Sequence, residues 1–165
     1  MHKINWKFDN TYSKLSETFR EFVKPTPVHN PKLVIFNHQL AQELNLDFSK
    51  TSSLELSEIF SGNILPQETK TLAQAYAGHQ FGHFTMLGDG RAVLLGEHLD
   101  NKKNRYDIQF KGSGRTSFSR GGDGRAALGP MLREYIISEA IHSLNIPTTR
   151  SLAVVKTGEK VVREN

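Results

Sequence analysis

The chain has 165 residues, no cysteine and a formal net charge of +4. A chain of this length can bury about two-thirds of its unfolded surface in one core, and without cysteine it is neither a disulfide-stapled scaffold, a Cys-ligated zinc module nor a thiol nucleophile. No apolar run approaches the roughly 20 residues that cross a bilayer. The stretch Met1–Trp6 lacks the apolar core and cleavage site of a signal peptide, and Asp9 and Glu17 come too early for an acid-poor transit peptide, so the expectation is a soluble, cytoplasmic, bacterial-type domain.

Residues 1–30 are polar with scattered aromatics (Trp6, Phe8, Tyr12, Phe19, Phe22), and Pro25, Pro27 and Pro31 then break the chain, which reads as an N-terminal arm ending in a loop. Residues 32–36 form a short apolar strand, 39–44 a helix, 47–55 a Ser/Thr-rich loop, and Glu58-Ile59-Phe60 a short element closed by Ser61-Gly62-Asn63. Helical composition over 67–77 predicts a helix stopped by Gly78. The runs 83–87 and 92–97 read as two strands of a hairpin around Gly88-Asp89-Gly90-Arg91, because Asp-Gly between apolar runs marks a hairpin turn. A third strand follows at 104–110 and then a Gly/Ser/Arg-rich loop at 112–125.

The strongest helix pattern spans 126–144, with Leu128, Met131, Leu132, Tyr135 and Ile136 on one apolar stripe. Pro147 disfavours its continuation. A last hairpin is expected from 151–156 and 160–163 around Thr157-Gly158-Glu159. Together these elements predict an α+β fold with a mainly antiparallel sheet and one principal helix.

The charge is unevenly distributed. Residues 101–133 carry eight Lys and Arg against Asp107 and Asp123, a net +6. Such a window attracts phosphate, or is simply a solvated basic face. The tetrapeptide Gly-Asp-Gly-Arg occurs at 88–91 and again at 122–125, each time followed by alanine. Between strands, its glycines let backbone amides approach a ligand and Arg91 supplies a donor fork suited to phosphate oxygens. At the start of the long helix, the second copy places amides and the helix dipole toward an anion. The alternatives are an ordinary turn for the first and an Asp-centred cap for the second.

Lys111 ends a strand and meets the glycine loop at once, where it can reach a phosphate as a point charge. The loop 112–125 holds five glycines and three arginines with little bulk besides Phe118, so it is either disordered or organised by something outside itself. Neither the Walker A spacing nor a Gly-x-Gly-x-x-Gly fingerprint is present. Glu134 lies on the long helix 23 residues after Lys111. A strand lysine paired with a helix glutamate is the arrangement of a protein-kinase N-lobe, and a surface carboxylate is the alternative. His79 and His83 are four apart, but glycines break helix there and no metalloprotease motif surrounds them. Ser113, Ser117 and Ser119 lack a His/Asp constellation.

At these residues the sequence resembles the selenoprotein O/YdiU family, kinase-fold enzymes that move AMP from ATP to protein hydroxyls. The matching runs are AYAGHQFG at 75–82, LGDGRA at 87–92, KGSGRT at 111–116, FSRGGDGRAALGP at 118–130, LREY at 132–135 and PTTRSLAV at 147–154. Ser117 stands where the family pattern has proline. The resemblance implies a kinase-like N-lobe over residues 66–165, preceded by an arm and a small helical and strand segment over 1–65. It implies ATP binding by Gly88, Gly90, Arg91, Lys111, Asp123 and Gly124, with Glu134 as the ion-pair partner that positions Lys111. It further implies Mg²⁺ or Mn²⁺, protein substrates bearing Ser, Thr or Tyr, and a catalytic base and metal ligands in a C-terminal lobe beyond Asn165. This chain alone is then expected to be inactive, with no catalytic residue or metal ligand of its own.

Phosphoryl transfer on the same fold and a non-catalytic nucleotide or phosphate module remain alternatives. Nucleic acid is not an expected partner, because the aromatics are not interleaved with the basic residues; nor is a membrane. The oligomeric state is left open.

Overall fold

A computed structural model describes residues 4–163, so the first three and the last two residues lie outside it. In chain order its elements are β1 (Arg20–Phe22), β2 (Lys32–Phe36), α1 (His38–Glu43), α2 (Ser53–Ser61), β3 (Leu72–Gln80), β4 (His83–Gly88), β5 (Ala92–Leu99), β6 (Arg105–Lys111), α3 (Leu128–Ser143) and β7 (Ala153–Lys156). The fold is α+β with antiparallel strand pairing. The chain separates into two compact units, each built from non-contiguous segments. A helical unit comprises Met1–Trp6, Pro27–Ile64 and Ala126–Asn165, and a sheet unit comprises Lys7–Thr26 and Leu65–Arg125.

In the sheet unit the strand order is β1-β3-β5-β6, with β4 also paired to β3. The expected helix over 67–77 is instead largely β3. Leu72 and Ala73 are 1% and 0% exposed, and β3 is paired there with β1 on one edge and β5 on the other. Ladder bonds on both edges outweigh the modest helix preference of Ala and Gln. Gly78 sits inside this strand opposite Thr85 and stops nothing.

The expected hairpin around Gly88-Asp89-Gly90-Arg91 is also absent. β4 and β5 do not pair with each other; both run antiparallel to β3, at Ala75↔Gly88 and Leu72↔Leu94. They are one strand interrupted by a bulge. The true hairpin turn is Phe81-Gly82, whose φ values of 60° and 80° both lie in the left-handed region that a two-residue turn demands.

Part of the expected arm is integrated into this sheet. β1 pairs with β3, and Phe8 bridges His98. Arg105 reaches Asp9 at 2.7 Å and Glu97 at 3.1 Å, while Tyr12 N–H donates to Glu97 at 2.7 Å. The core of the unit is Leu72, Ala73, Ala92, Val93, Leu94, Leu95 and Phe110.

In the helical unit β2 pairs antiparallel with β7, from Lys32↔Lys156 to Phe36↔Ala153. Residues 160–163 form no strand, so the expected final hairpin does not exist; β7 finds its partner far upstream, near the start of the chain. α2 packs on both strands and α3 on β7. α2 begins within the segment expected to be loop, because Ser52 and Glu55 form a reciprocal capping box, and Gly62 (φ 87°) ends it. Phe36, Phe48 and Phe60 pack with ring centroids 5.1–5.6 Å apart, and Trp6 meets Phe48 edge-on.

α3 starts at Leu128 with Ala127 as an uncapped N-cap. The second Gly-Asp-Gly-Arg copy therefore ends before the helix and neither opens nor caps it. Its predicted apolar stripe is not a buried face. Ser138 is the one buried residue of α3, and Ile136 is 62% exposed.

A polar junction ties this unit together. Asn37 caps α1 through Leu40 N–H at 2.9 Å and donates to Glu139 at 2.8 Å. Glu139 takes a two-pronged fork from Arg150 at 2.8 and 2.7 Å, and Arg150 also reaches Glu43 at 3.2 Å. That fork holds the Glu139 carboxyl below the usual carboxylate range despite partial burial. Among the described residues no helix is long and apolar enough to cross a membrane.

Candidate functional site

The bulge between β4 and β5 is built around Asp89. Its N–H donates to the Gln74 carbonyl at 2.9 Å, and its carboxylate accepts the Gln74 N–H at 3.0 Å. The side chain thus stands in for the carbonyl that an uninterrupted strand would present to β3. The same oxygen accepts from Gln109 Nε2 at 3.2 Å, which ties the bulge to β6 two residues before Lys111. Burial raises the Asp89 pKa, opposed by the bonds from Gln74 and Gln109. The flanking glycines are required by close approach. A Cβ on Gly88 would enter the Phe118 ring, and one on Gly90 would lie 2.7 Å from the Phe118 carbonyl oxygen.

Lys111 is the last residue of β6, paired with Ala92, and Gly112 N–H donates to the Arg91 carbonyl at 2.6 Å. The lysine and the bulge arginine are therefore one position apart across the β5–β6 pairing. Both side chains are exposed.

The loop that follows is ordered by contacts within the sheet unit. Ser113 bridges Arg125, Gly114 N–H donates to the Gly124 carbonyl at 3.1 Å, and Thr26 N–H donates to the Ser113 carbonyl at 2.8 Å. Gly124 (φ +66°) is buried, and a Cβ there would strike the Gly114 carbonyl. Asp123 accepts Arg125 N–H at 2.8 Å, a local turn. Thr116 and Ser119 donate to the Asp89 and Gly90 carbonyls at 2.6 and 2.5 Å, and Phe118 rests on Gly88. At the loop tip Arg120 lies over the Phe81 ring, 5.1 Å from its centroid.

The two Gly-Asp-Gly-Arg copies are thus parts of one assembly. The sheet unit brings together Gly88, Gly90, Arg91, Lys111, Asp123 and Gly124. Glu134 belongs to the helical unit, exposed on α3. His79 and His83 fall on opposite faces of the β3–β4 ribbon, since His79 faces Phe84 and His83 faces Gln80. Ser119 is committed to a backbone carbonyl, and the buried Ser113 Oγ has no hydrogen-bond partner among the described residues.

Sequence reasoning misses Gln74, Thr116, Phe118 and Ser119 as parts of this assembly. A hydroxyl pair three apart, Thr116 and Ser119, is a capping-box-like spacing and is the available signal. Asp89 reads in the sequence only as a turn residue.

A cationic, glycine-lined turn beside a strand-terminal lysine has the backbone amides and point charges with which an anionic group can be held. Over residues 2–165 the chain matches the family model described as protein adenylyltransferase SelO, and it belongs to that family. It is 68% identical over 98% of its length to a protein nucleotidyltransferase YdiU of Pelagibacter ubique. It is 65% identical, over 97% and 98% of its length, to proteins of the same name from Anoxybacillus flavithermus and Nitrosococcus oceani. In each case it covers 33% of the relative, so the chain spans about a third of the length of these curated relatives.

Proposed function

We propose that this chain is the ATP-gripping part of a cytoplasmic protein nucleotidyltransferase that transfers AMP to Ser, Thr or Tyr hydroxyls. The observation that carries the reading is the placement of Lys111 at the end of β6 and of Arg91 in the bulge just before β5, beside the Gly88–Gly90 backbone. Family membership and relatives named protein nucleotidyltransferase support it. In this reading residues 66–165 are a kinase-like N-lobe, and 1–65 are an arm with a small helical and strand segment that precedes it. The order of the meander, the lysine at the end of β6 and the following helix bearing Glu134 support that likeness.

In the proposed reaction a protein hydroxyl oxygen bonds to the α-phosphorus of ATP. The bond from that phosphorus to the bridging oxygen breaks, pyrophosphate leaves, and the hydroxyl proton passes to a base. This chain's share is to bind and orient: Arg91, Lys111 and the turn amides offset phosphate charge, and Asp123 and Gly124 shape the loop beside them. Among the described residues no group of three or more His, Asp or Glu side chains is placed to hold a metal. Asp89 is bonded to Gln74 and Gln109, and Asp123 to Arg125. In this reading the ligands of Mg²⁺ or Mn²⁺ and the base are assigned to the remaining length of the protein.

The test is to incubate the full-length protein with ATP labelled at the α- or the γ-phosphate. Protein labelled from the α position is expected. Label arriving only from γ would mean phosphoryl transfer, and ATP binding with no transfer would mean a binding module. Lys111→Ala should abolish ATP binding; unchanged affinity would show that the lysine is misassigned.

A further inference from the structure

In an extended strand, successive carbonyls alternate sides. At the bulge they do not: the carbonyls of Asp89 and Gly90 both turn toward the glycine-rich loop, where Thr116 Oγ1 and Ser119 Oγ donate to them. A trans peptide is planar, with its C=O and N–H on opposite sides. The plane that carries the Asp89 carbonyl carries the Gly90 amide, and the plane that carries the Gly90 carbonyl carries the Arg91 amide. Holding both carbonyls toward the loop therefore aims both amides away from it. Two successive amides with one heading form an anion-binding concavity, here next to the Arg91 side chain.

The two hydroxyls are themselves oriented. Ser119 Oγ accepts Thr116 N–H at 2.9 Å, and Thr116 Oγ1 accepts Phe118 N–H at 3.2 Å. Each hydroxyl has a single proton, and with its lone pairs facing an amide that proton is directed to the turn carbonyl. On the other side Asp89 braces the bulge against Gln74 and Gln109.

We propose that Thr116 and Ser119 are positioning residues that aim the Gly90 and Arg91 amides at a phosphate of the bound nucleotide. This rests on the nucleotide-binding reading of Gly90 and Arg91 and adds the residues that set their direction. The loop's hydroxyls then hold the phosphate-facing backbone in its bulged conformation before ligand arrives.

The test uses the full-length protein with Thr116→Val, Thr116→Ser, Ser119→Ala and Lys111→Ala, and measures affinity for ATP and for adenosine, which lacks phosphate. Loss of about ten-fold in ATP affinity is expected for Thr116→Val and for Ser119→Ala, the size of one well-made hydrogen bond. Adenosine affinity should stay the same, and Thr116→Ser should restore ATP affinity. Unchanged ATP affinity in Thr116→Val and Ser119→Ala, or parallel loss for ATP and adenosine, would overturn the positioning role. If Lys111→Ala also leaves ATP affinity unchanged, the nucleotide reading of the site falls. If Lys111→Ala abolishes binding while the hydroxyl variants do not, only the positioning role falls.

Discussion

Replacing Glu139 by Gln tests what holds the helical unit together. The carboxylate accepts two bonds from Arg150, one from Asn37 and one from Ser151 N–H at 3.3 Å, linking α3 to the α1 cap and to the approach to β7. The Glu139→Gln variant would keep the shape but turn an NH₂ group toward guanidinium or amide donors. One charge-assisted bond is worth about 1.5–3 kcal/mol. The side chains of Arg150 and Glu139 are 15% and 22% exposed, so the loss stays below the roughly 3–5 kcal/mol of a wholly buried broken pair. We expect about 2–3 kcal/mol, read as a drop of about 1–2 M in the urea midpoint.

The pH dependence has a definite sign. The folded pKa of Glu139 is lowered, so its contribution is complete above the ordinary carboxylate range and is lost as pH falls through the folded value. The gap between wild type and Glu139→Gln should therefore shrink on acidification from pH 7. A double-mutant cycle with Arg150→Met isolates the pair. A cost under about 0.5 kcal/mol, or a gap that stays constant into acid, would refute the reasoning.

Two further predictions concern the loop. Gly124→Ala places a Cβ into the Gly114 carbonyl at a positive φ, so it should cost about 2 kcal/mol or more and raise amide exchange across 112–125. Gly88→Ala drives into the Phe118 ring and should cost about 1–3 kcal/mol. Adding Phe118→Ala should recover part of that loss; strictly additive losses in urea denaturation would show that ring and glycine are not in contact.

The residues of the candidate site stand out in the sequence because they lie in short, unusual strings. Lys111 at a strand end, the repeated Gly-Asp-Gly-Arg and the surrounding family motifs pointed to the same phosphate chemistry. The connections between those strings were not legible. Asp-Gly serves equally in a hairpin turn and in a bulge, and only the pairing of both β4 and β5 to β3 decides between them. Alanine-rich 67–77 satisfies helix propensity, yet its Leu72 and Ala73 are buried between two strands. The apolar residues of α3 marked the helix but not its burial, since periodicity reports a stripe and not what covers it.

By itself, then, the sequence determined the chemical inventory: an α+β chain without cysteine, a basic window, a lysine-glycine junction and the family to which these belong. The tertiary structure decided the directions. Nothing in the order of residues says that Thr116 and Ser119 meet carbonyls 27 and 29 positions upstream, or that Asp89 replaces a missing strand carbonyl. Local propensity acts over a few residues, whereas the heading of a backbone amide is set by whatever holds the carbonyl of its own peptide plane, and here that partner comes from a distant loop.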